Sequence, residues 1–415
     1  MPSAVATFDV AACRAQFPAL ERTVNGHPTA FFDGPGGTQA PRSVIDAVAN
    51  YLAHTNANHG GVFATSVESD RLLDEAHAAL ADFVGTTDPG TIAFGQNMTS
   101  LTFALSRALA QTWRKGDEVI VTQLDHDANV SPWKLAARDA GAVVHEIPFD
   151  HETGALDLGA LASSLSPRTR LVAVGCASNS LGTINPVAEI VSMAHAASAQ
   201  VFLDAVHLAP HAALDVTAWD CDYLACSAYK FFGPHVGVLY GKRDRLEELT
   251  AYKLRPAPHD LPGKWMTGTQ SHEGIAGAKA AVDYLASLGQ APAGSNRRAA
   301  LLSAWERIGE YEQELARQLL VGLNRIPAVR IWGDRDPDRV ALRAPTVSIT
   351  HANLDPQALA ERLAARGLFV WHGNFYALSV TQSLGLEPAG LVRIGLAHYN
   401  TAEEVARLLA ELGAC

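Results

Sequence analysis

The sequence predicts an α/β fold: a large domain on a mostly parallel sheet, followed by a smaller α+β C-terminal domain. Two observations carry this reading. Between about residues 81 and 246, short runs rich in β-branched and aromatic residues alternate with segments of helix length, the pattern of strands joined by crossover helices. Several of these runs are apolar on both faces, as strands covered by helices on two sides must be. A length of 415 residues leaves room for two or three domains, each with its own core.

The elements follow in order. TIAFG (91–95) reads as a strand and leads into a helix over 98–112. EVIVTQ (118–123) precedes a helix near 132–140, and AVVHEIPF (142–149) precedes another at 157–165. RLVAVGCAS (170–178) leads to the helix PVAEIVSMAHAA (186–197). QVFLDA (200–205), DYLACSA (222–228) and GVLYGK (237–242) complete the strand series. Residues 253–272 are rich in Pro, Gly and polar groups and read as a long ordered loop. A helical region over 273–323 is interrupted by the polar stretch 289–298. VRIWG (329–333), TVSIT (346–350), LFVWHG (368–373) and LVRIGLAH (391–398) then read as strands, with helices at 355–366 and 401–413. The expected division is an N-terminal segment over 1–30 packing with the small domain, a large domain over 31–290 and a small domain over 291–415.

Apolar residues are 48% and charged residues 18% of the chain, which excludes a disordered protein. The net charge of −11 argues against broad binding to nucleic-acid backbones. Five scattered cysteines without a CxxC pair give neither a disulfide scaffold nor a zinc site, and no metal is expected. The N-terminus lacks a basic region before its apolar residues, so no signal peptide is expected. No run of 18 apolar residues is present, so no membrane span is expected. The expected location is the cytoplasm.

CSAYKFFGPHVGVLYGK (226–242) carries the chemistry. Lys230 follows an apolar strand, in a turn with Ser227, Tyr229 and Gly233. Desolvation lowers a lysine pKa, and the free amine attacks an aldehyde. An ordinary surface lysine at a strand end gives the same local pattern. Asp204 and His207, in LDAVH (203–207), end another apolar strand, where side chains face the ligand crevice of a parallel sheet. Pyridoxal 5'-phosphate (PLP) needs such a carboxylate to keep its pyridine nitrogen protonated; a structural cap is the plainer role. GQNMTSLTFAL (95–105) opens a helix whose first N–H groups, at Met98 and Thr99, with the Thr99 hydroxyl, suit a phosphate. His126, in QLDHDANVSPW (123–133), has a ring able to stack on the cofactor, although loop histidines are common. Asn179, in CASNSLGTINP (176–186), has an amide able to reach the cofactor's phenolic oxygen, although Asn is also a frequent turn residue.

This series resembles the class V aminotransferase family, within fold type I of the PLP-dependent transferases, and its cysteine desulfurase-like branch in particular. The resemblance runs from FFDGPGGTQAP (31–41) to VRIGLAHYNTAEEV (392–405). It implies that Lys230 binds the cofactor covalently, Asp204 pairs with the pyridine nitrogen and His126 stacks on the ring. It implies that Asn179 and His207 approach the phenolic oxygen, and that Met98, Thr99, Ser227 and Tyr229 hold the phosphate. Thr269, in WMTGTQSHEG (265–274), matches a position that reaches the neighbouring subunit's phosphate, which implies a homodimer with shared active sites. Arg393 matches the arginine that clamps the α-carboxylate of an amino-acid substrate. Desulfurases often carry His at Tyr229 and Gln at His207; both replacements keep a hydrogen-bonding group.

One departure bears on the reaction. Desulfurases of the closest group carry a loop cysteine that holds a persulfide, but the matching segment VWHGNFYALSV (370–380) has none, and Tyr376 stands near its place. His59, His372, Asn374 and Tyr376, with the loop over 253–272, are expected to shape the substrate pocket. The expectation placed first is β-elimination of a C–S bond by an enzyme without a persulfide cysteine. An aminotransferase, an amino-acid epimerase and a non-catalytic PLP-binding regulatory subunit remain as alternatives.

Overall fold

The computed structural model describes residues 8–292 and 294–415; of the expected N-terminal segment, residues 1–7 lie outside the described residues. The large sheet has seven strands: β1 (Ile92–Gly95), β2 (Glu118–Thr122), β3 (Val143–Ile147), β4 (Thr169–Gly175), β5 (Gln200–Asp204), β6 (Tyr223–Ser227) and β7 (Gly237–Gly241). Their order across the sheet is β1-β7-β6-β5-β4-β2-β3. β7 alone runs against the others, pairing antiparallel with both β1 and β6. The pairs β6–β5, β5–β4, β4–β2 and β2–β3 are all parallel.

The strand sequences suit this placement. β2, β6 and β7 are buried at every position, and side chains alternate between two cores. Leu203 and Leu224 join the core on one face with Leu80, Phe83 and Val174. Phe202 and Tyr223 join the core on the other with Leu105, Leu109, Val119 and Trp133. β3 lies at the edge and is the polar exception, with Val143 exposed.

The predicted helices are present over Met98–Ala110, Ser131–Ala140, Leu158–Ser164 and Val187–Ala196. The helical region near 273–323 is two helices, His272–Ser287 and Arg297–Leu323. A further helix, Ala64–Val84, was not expected from the sequence. Its apolar spacing is real, with Leu73, Ala76, Leu80, Phe83 and Val84 buried, and Gly85 ends it at φ +86°. The 253–272 stretch is largely irregular but tied down. Trp265 Nε1 donates to the Leu246 carbonyl at 3.2 Å, and Lys264 Nζ donates to the same carbonyl at 3.0 Å.

A second sheet, ordered β8-β9-β11-β10, is made of β8 (Val329–Trp332), β9 (Thr346–His351), β10 (Trp371–Gly373) and β11 (Leu391–Gly395). Helices Pro356–Ala365 and Ala402–Gly413 follow the expected bounds closely. LFVWHG corrects one expectation, because it is not a single strand. Leu368–Phe369 pairs parallel with Ala30–Phe31, whereas Trp371–Gly373 pairs antiparallel with Leu391–Arg393. The break lets one chain segment serve two sheets. LVRIGLAH also stops early, at Gly395. There Asp33 forms a parallel bridge to Gly395, and Pro35 packs where a Gly395 side chain would stand.

Gly237 shows why the start of β7 tolerates no side chain: a Cβ there would lie 2.7 Å from the Asn97 Cα. Asn97 caps the helix Met98–Ala110 by accepting from the Ser100 N–H at 2.8 Å. Gly237→Ala should therefore push this helix start away, costing about 1–3 kcal/mol, the usual scale of core overpacking. A lowered melting temperature is the expected outcome, and an unchanged one would show that the contact yields freely.

Candidate active site

The parallel strands deliver their carboxyl ends to one edge of the large sheet, where α/β crevices bind ligands. β5 ends at Asp204, and β6 ends at Ser227 and runs into the tight turn Ala228–Lys230. β2 is followed by Asp125 and His126, and β4 by Asn179. β1 is followed by the N-terminus of Met98–Ala110. From the second sheet, β11 contributes Arg393. From the N-terminal side, Asp33–Gly37 lies over Lys230, whose Nζ donates to the Pro35 carbonyl.

Lys230 is half-buried, with its Nζ 4.9 Å from the Tyr229 ring centre. Burial, and then the Arg393 charge, push its pKa down to about 7, against the pull of Asp204 and Asp33. Burial lifts the Asp204 carboxyl to about 6, opposed by the Val206 N–H, which donates to Asp204 Oδ1 at 2.9 Å, and by the Lys230 charge. Near neutrality Asp204 is thus an anion while much of Lys230 is free amine. His126 is pushed down to about 4 by burial, with Lys230 and Arg393 adding to it, so its ring is neutral. Burial likewise holds His207 well below the usual histidine range.

Asp125, which sequence reasoning passed over, fixes the base of the site. Its Oδ1 accepts from the Gly175 N–H at 2.9 Å, and its Oδ2 accepts from Asn129 Nδ2 at 3.0 Å. Asn129 Oδ1 in turn accepts from Trp133 Nε1 at 2.9 Å. This buried relay ties the loop carrying His126 to the end of β4. Burial and the nearby Asp204 charge raise the Asp125 pKa to about 8. Asp33 was missed too, although it lies within the FFDGPGGTQAP motif. Burial raises its carboxyl to about 6 against the charges of Arg393 and Lys230.

The predicted phosphate residues meet at the helix start. Ser227 Oγ accepts from the Met98 N–H at 2.9 Å, which joins the end of β6 to the helix. Thr99 is exposed, and among the described residues neither its N–H nor its hydroxyl has a protein partner. Tyr229 stacks on His235 with ring centres 4.7 Å apart. Asn179 Nδ2 donates to the Phe375 carbonyl at 2.9 Å. Its Oδ1 is buried without a partner, as is Nε2 of His207.

Arg393 is buried. Its Nη1 donates to the Asn179 carbonyl at 2.9 Å, and its guanidinium carbon lies 4.3 Å from the Phe375 ring centre. Tyr376 stacks on His126 at 5.4 Å with the planes 25° apart. Asn374 Oδ1 accepts from the Tyr376 N–H at 3.1 Å. Other predicted residues stand apart within this chain. His59 lies 3.5 Å from Asp70 and 5.7 Å from the His272 ring, while His372 and Thr269 are exposed.

The Aminotransferase class-V family model matches residues 30–408, and the chain belongs to that family. A probable cysteine desulfurase of Synechocystis sp. is 33% identical, over 100% of this chain and 96% of the relative. A cysteine desulfurase of Dickeya dadantii is 31% identical, over 96% and 95% respectively. The chain spans only 59% and 63% of two other curated relatives, from Mycolicibacterium paratuberculosis and Synechococcus elongatus. Among solved structures, the cysteine desulfurase CsdA of Escherichia coli matches with TM-score 0.83 and 25% identity, over 98% of each chain. A C-DES mutant with glycine covalently linked to its PLP cofactor shares the fold at TM-score 0.79 and 22% identity, over 96% of this chain and 98% of that one.

PLP is therefore the cofactor, and the chain is similar to cysteine desulfurases along nearly its whole length. The residues present fit the group. The free donors of Thr99 suit a phosphate at a helix N-terminus. The anionic Asp204 suits a pyridinium, and the unpartnered Asn179 Oδ1 and His207 Nε2 are buried polar atoms that call for a ligand. On the expected assignment, Lys230 captures PLP as the neutral amine, the form that dominates above its pKa. The capture rate should therefore rise across about pH 6–8 and level off. A rate still climbing through the ordinary lysine range near ~10.4, read by stopped-flow absorbance, would contradict the depressed amine.

Proposed function

We propose that the protein is a β-eliminating lyase, cleaving the C–S bond of a sulfur-bearing amino acid without a protein-bound persulfide. One observation carries the reading: the acid–base and carboxylate-binding residues Lys230, Asp204 and Arg393 are all present, while Tyr376 stands where a persulfide-bearing thiol is expected. A phenol has a reference pKa near ~10 and is a hard oxygen nucleophile, ill-suited to attack on sulfur. Four of the five cysteines offer little thiolate. Cys13, Cys176, Cys221 and Cys226 are buried, and burial lifts Cys13 to about 11 and the other three further.

Bound PLP supplies the electron sink for a carbanion at the substrate Cα. Arg393 holds the α-carboxylate through its guanidinium, a planar fork suited to two oxygens. The Lys230 amine takes the Cα proton. Asp204, ionised at neutral pH, stabilises the positive charge it faces, and the neutral His126 ring positions without adding charge. The Cβ–S bond then breaks, and sulfur leaves with the bonding pair and takes up a proton. Water consumes the remaining three-carbon fragment, giving pyruvate and ammonia from a cysteine-like substrate.

The same reading includes a homodimer with Thr269 reaching the partner's phosphate site. A run of exposed apolar residues before and at the start of the helix Ala64–Val84 supports it: Leu52, Val62, Phe63 and Val67. Sedimentation should give twice the 44.1 kDa chain mass. A fully active monomer would overturn the shared-site arrangement.

Incubation with L-cysteine and S-substituted cysteines should release pyruvate and free sulfur product, and thiol-labelling mass spectrometry should find no persulfide on the protein. Lys230→Ala should lose borohydride-fixed cofactor, and Asp204→Ala should bind PLP yet lose at least about a hundredfold in turnover, the scale of a lost electrostatic or acid–base contribution. A persulfide on one cysteine, with activity lost in that Cys→Ser variant alone, would defeat the reading. Amino transfer to added 2-oxo acids, without pyruvate release, would point to an aminotransferase.

A further inference from the structure

The turn over Gly373–Tyr376 is a built feature. Phe375 and Tyr376 both sit at φ +58°, after Gly373 at φ +111°. Two successive bulky residues in the left-handed region are unusual and persist only where surroundings hold them. Here the hold comes from both sides. Asn179 Nδ2 donates to the Phe375 carbonyl at 2.9 Å, and the Asp127 N–H donates to the Tyr376 carbonyl at 2.7 Å. From its own side, Asn374 accepts from the Tyr376 N–H, and its Nδ2 donates to Glu387 Oε1 at 3.1 Å. Thr381 Oγ1 donates to the same carboxylate oxygen at 2.5 Å.

The hold aims two aromatic rings at two functional groups. The Phe375 ring lies on the Arg393 guanidinium at 4.3 Å, and the Tyr376 ring lies on His126 at 5.4 Å. Arg393 and His126 are near enough to influence one another electrostatically. Each ring thus lies against one of the two groups that the proposed site uses, Phe375 against the expected carboxylate clamp and Tyr376 against the imidazole expected to stack on the cofactor. The segment 370–380 carries no Asp, Glu, Lys or Arg, and Tyr376 is 73% exposed, so its ring surface is open to contact.

We infer that Phe375 and Tyr376 form an aromatic wall that selects amino acids with an uncharged aromatic or large apolar side chain, such as an S-aryl or S-aralkyl cysteine, over free cysteine. The inference rests on the proposed site assignment and names its substrate class. Planar, apolar groups stack on such rings and displace water from them, whereas the small polar thiol of cysteine gains little.

The test uses the holoenzyme and reads binding apart from turnover. Change in the cofactor's visible absorption gives the half-saturating concentration of each amino acid, and pyruvate release is followed in parallel. S-benzyl-L-cysteine should half-saturate at a concentration at least about tenfold below that of S-methyl-L-cysteine, the scale of burying a phenyl ring. Tyr376→Phe should keep this preference, and the double variant Phe375→Ala, Tyr376→Ala should abolish it. If the double variant fails to hold cofactor, Phe375→Leu decides, since it should shrink the ratio. Equal or weaker binding of S-benzyl-L-cysteine, no spectral response to either compound, or a ratio unchanged in the variants would overturn the inference. Aromatic preference without pyruvate release would uphold the wall and defeat the lyase reading. Pyruvate release without the preference would do the reverse.

Discussion

A lysine amine held between unlike charges, and partly shielded from water, is the constraint on which the site depends. Lys230 needs burial to be a nucleophile near neutral pH, because an exposed ammonium holds its proton. Burial alone would leave a charged group stranded, so Asp204 and Asp33 limit the shift while Arg393 extends it. Those three partners come from β5, from the N-terminal segment and from the second sheet. The amine's state therefore reports that the two sheets and the N-terminal segment are correctly assembled. The parallel bridge of Asp33 to Gly395 and the pairing of Ala30–Phe31 with Leu368–Phe369 supply that assembly.

The large sheet contributes rigidity. β5 and β6 are buried along most of their lengths, and their neighbours are joined by a ladder that does not slip, because a one-residue shift would exchange two distinct cores. Asp125 adds a polar brace beneath this end. It converts the loop after β2 from a flexible connection into a fixed mount for His126, through Gly175, Asn129 and Trp133. The helix start at Met98 is fixed in the same manner, by Ser227 on one side and Gly237 on the other. Loops positioned by such a scaffold are where chemistry is usually placed.

The second sheet contributes variation. Within it, Arg393 sits on a buried strand, whereas Phe375 and Tyr376 sit on an adjoining turn held by a few hydrogen bonds. On the proposed reading, carboxylate binding is built into the frame and the groups facing the substrate side chain sit on a turn outside it.

Much of this was legible in the residues themselves. Strand–helix alternation and doubly apolar runs specified the large sheet, because a strand covered on both sides has no place for polar alternation. Strand-end positions singled out Lys230, Asp204, His126 and Asn179, because parallel strands present their carboxyl ends together. Three things were decided only by tertiary structure. The split of LFVWHG between two sheets depends on which distant strands are available, and local propensity is the same for both halves. Asp33 and Asp125 matter through burial beside charges far away in sequence, which no motif of acidic residues reveals. The rings of Phe375 and Tyr376 are set on Arg393 and His126 by a left-handed turn that neither residue favours, held by the donors and acceptors packed around it.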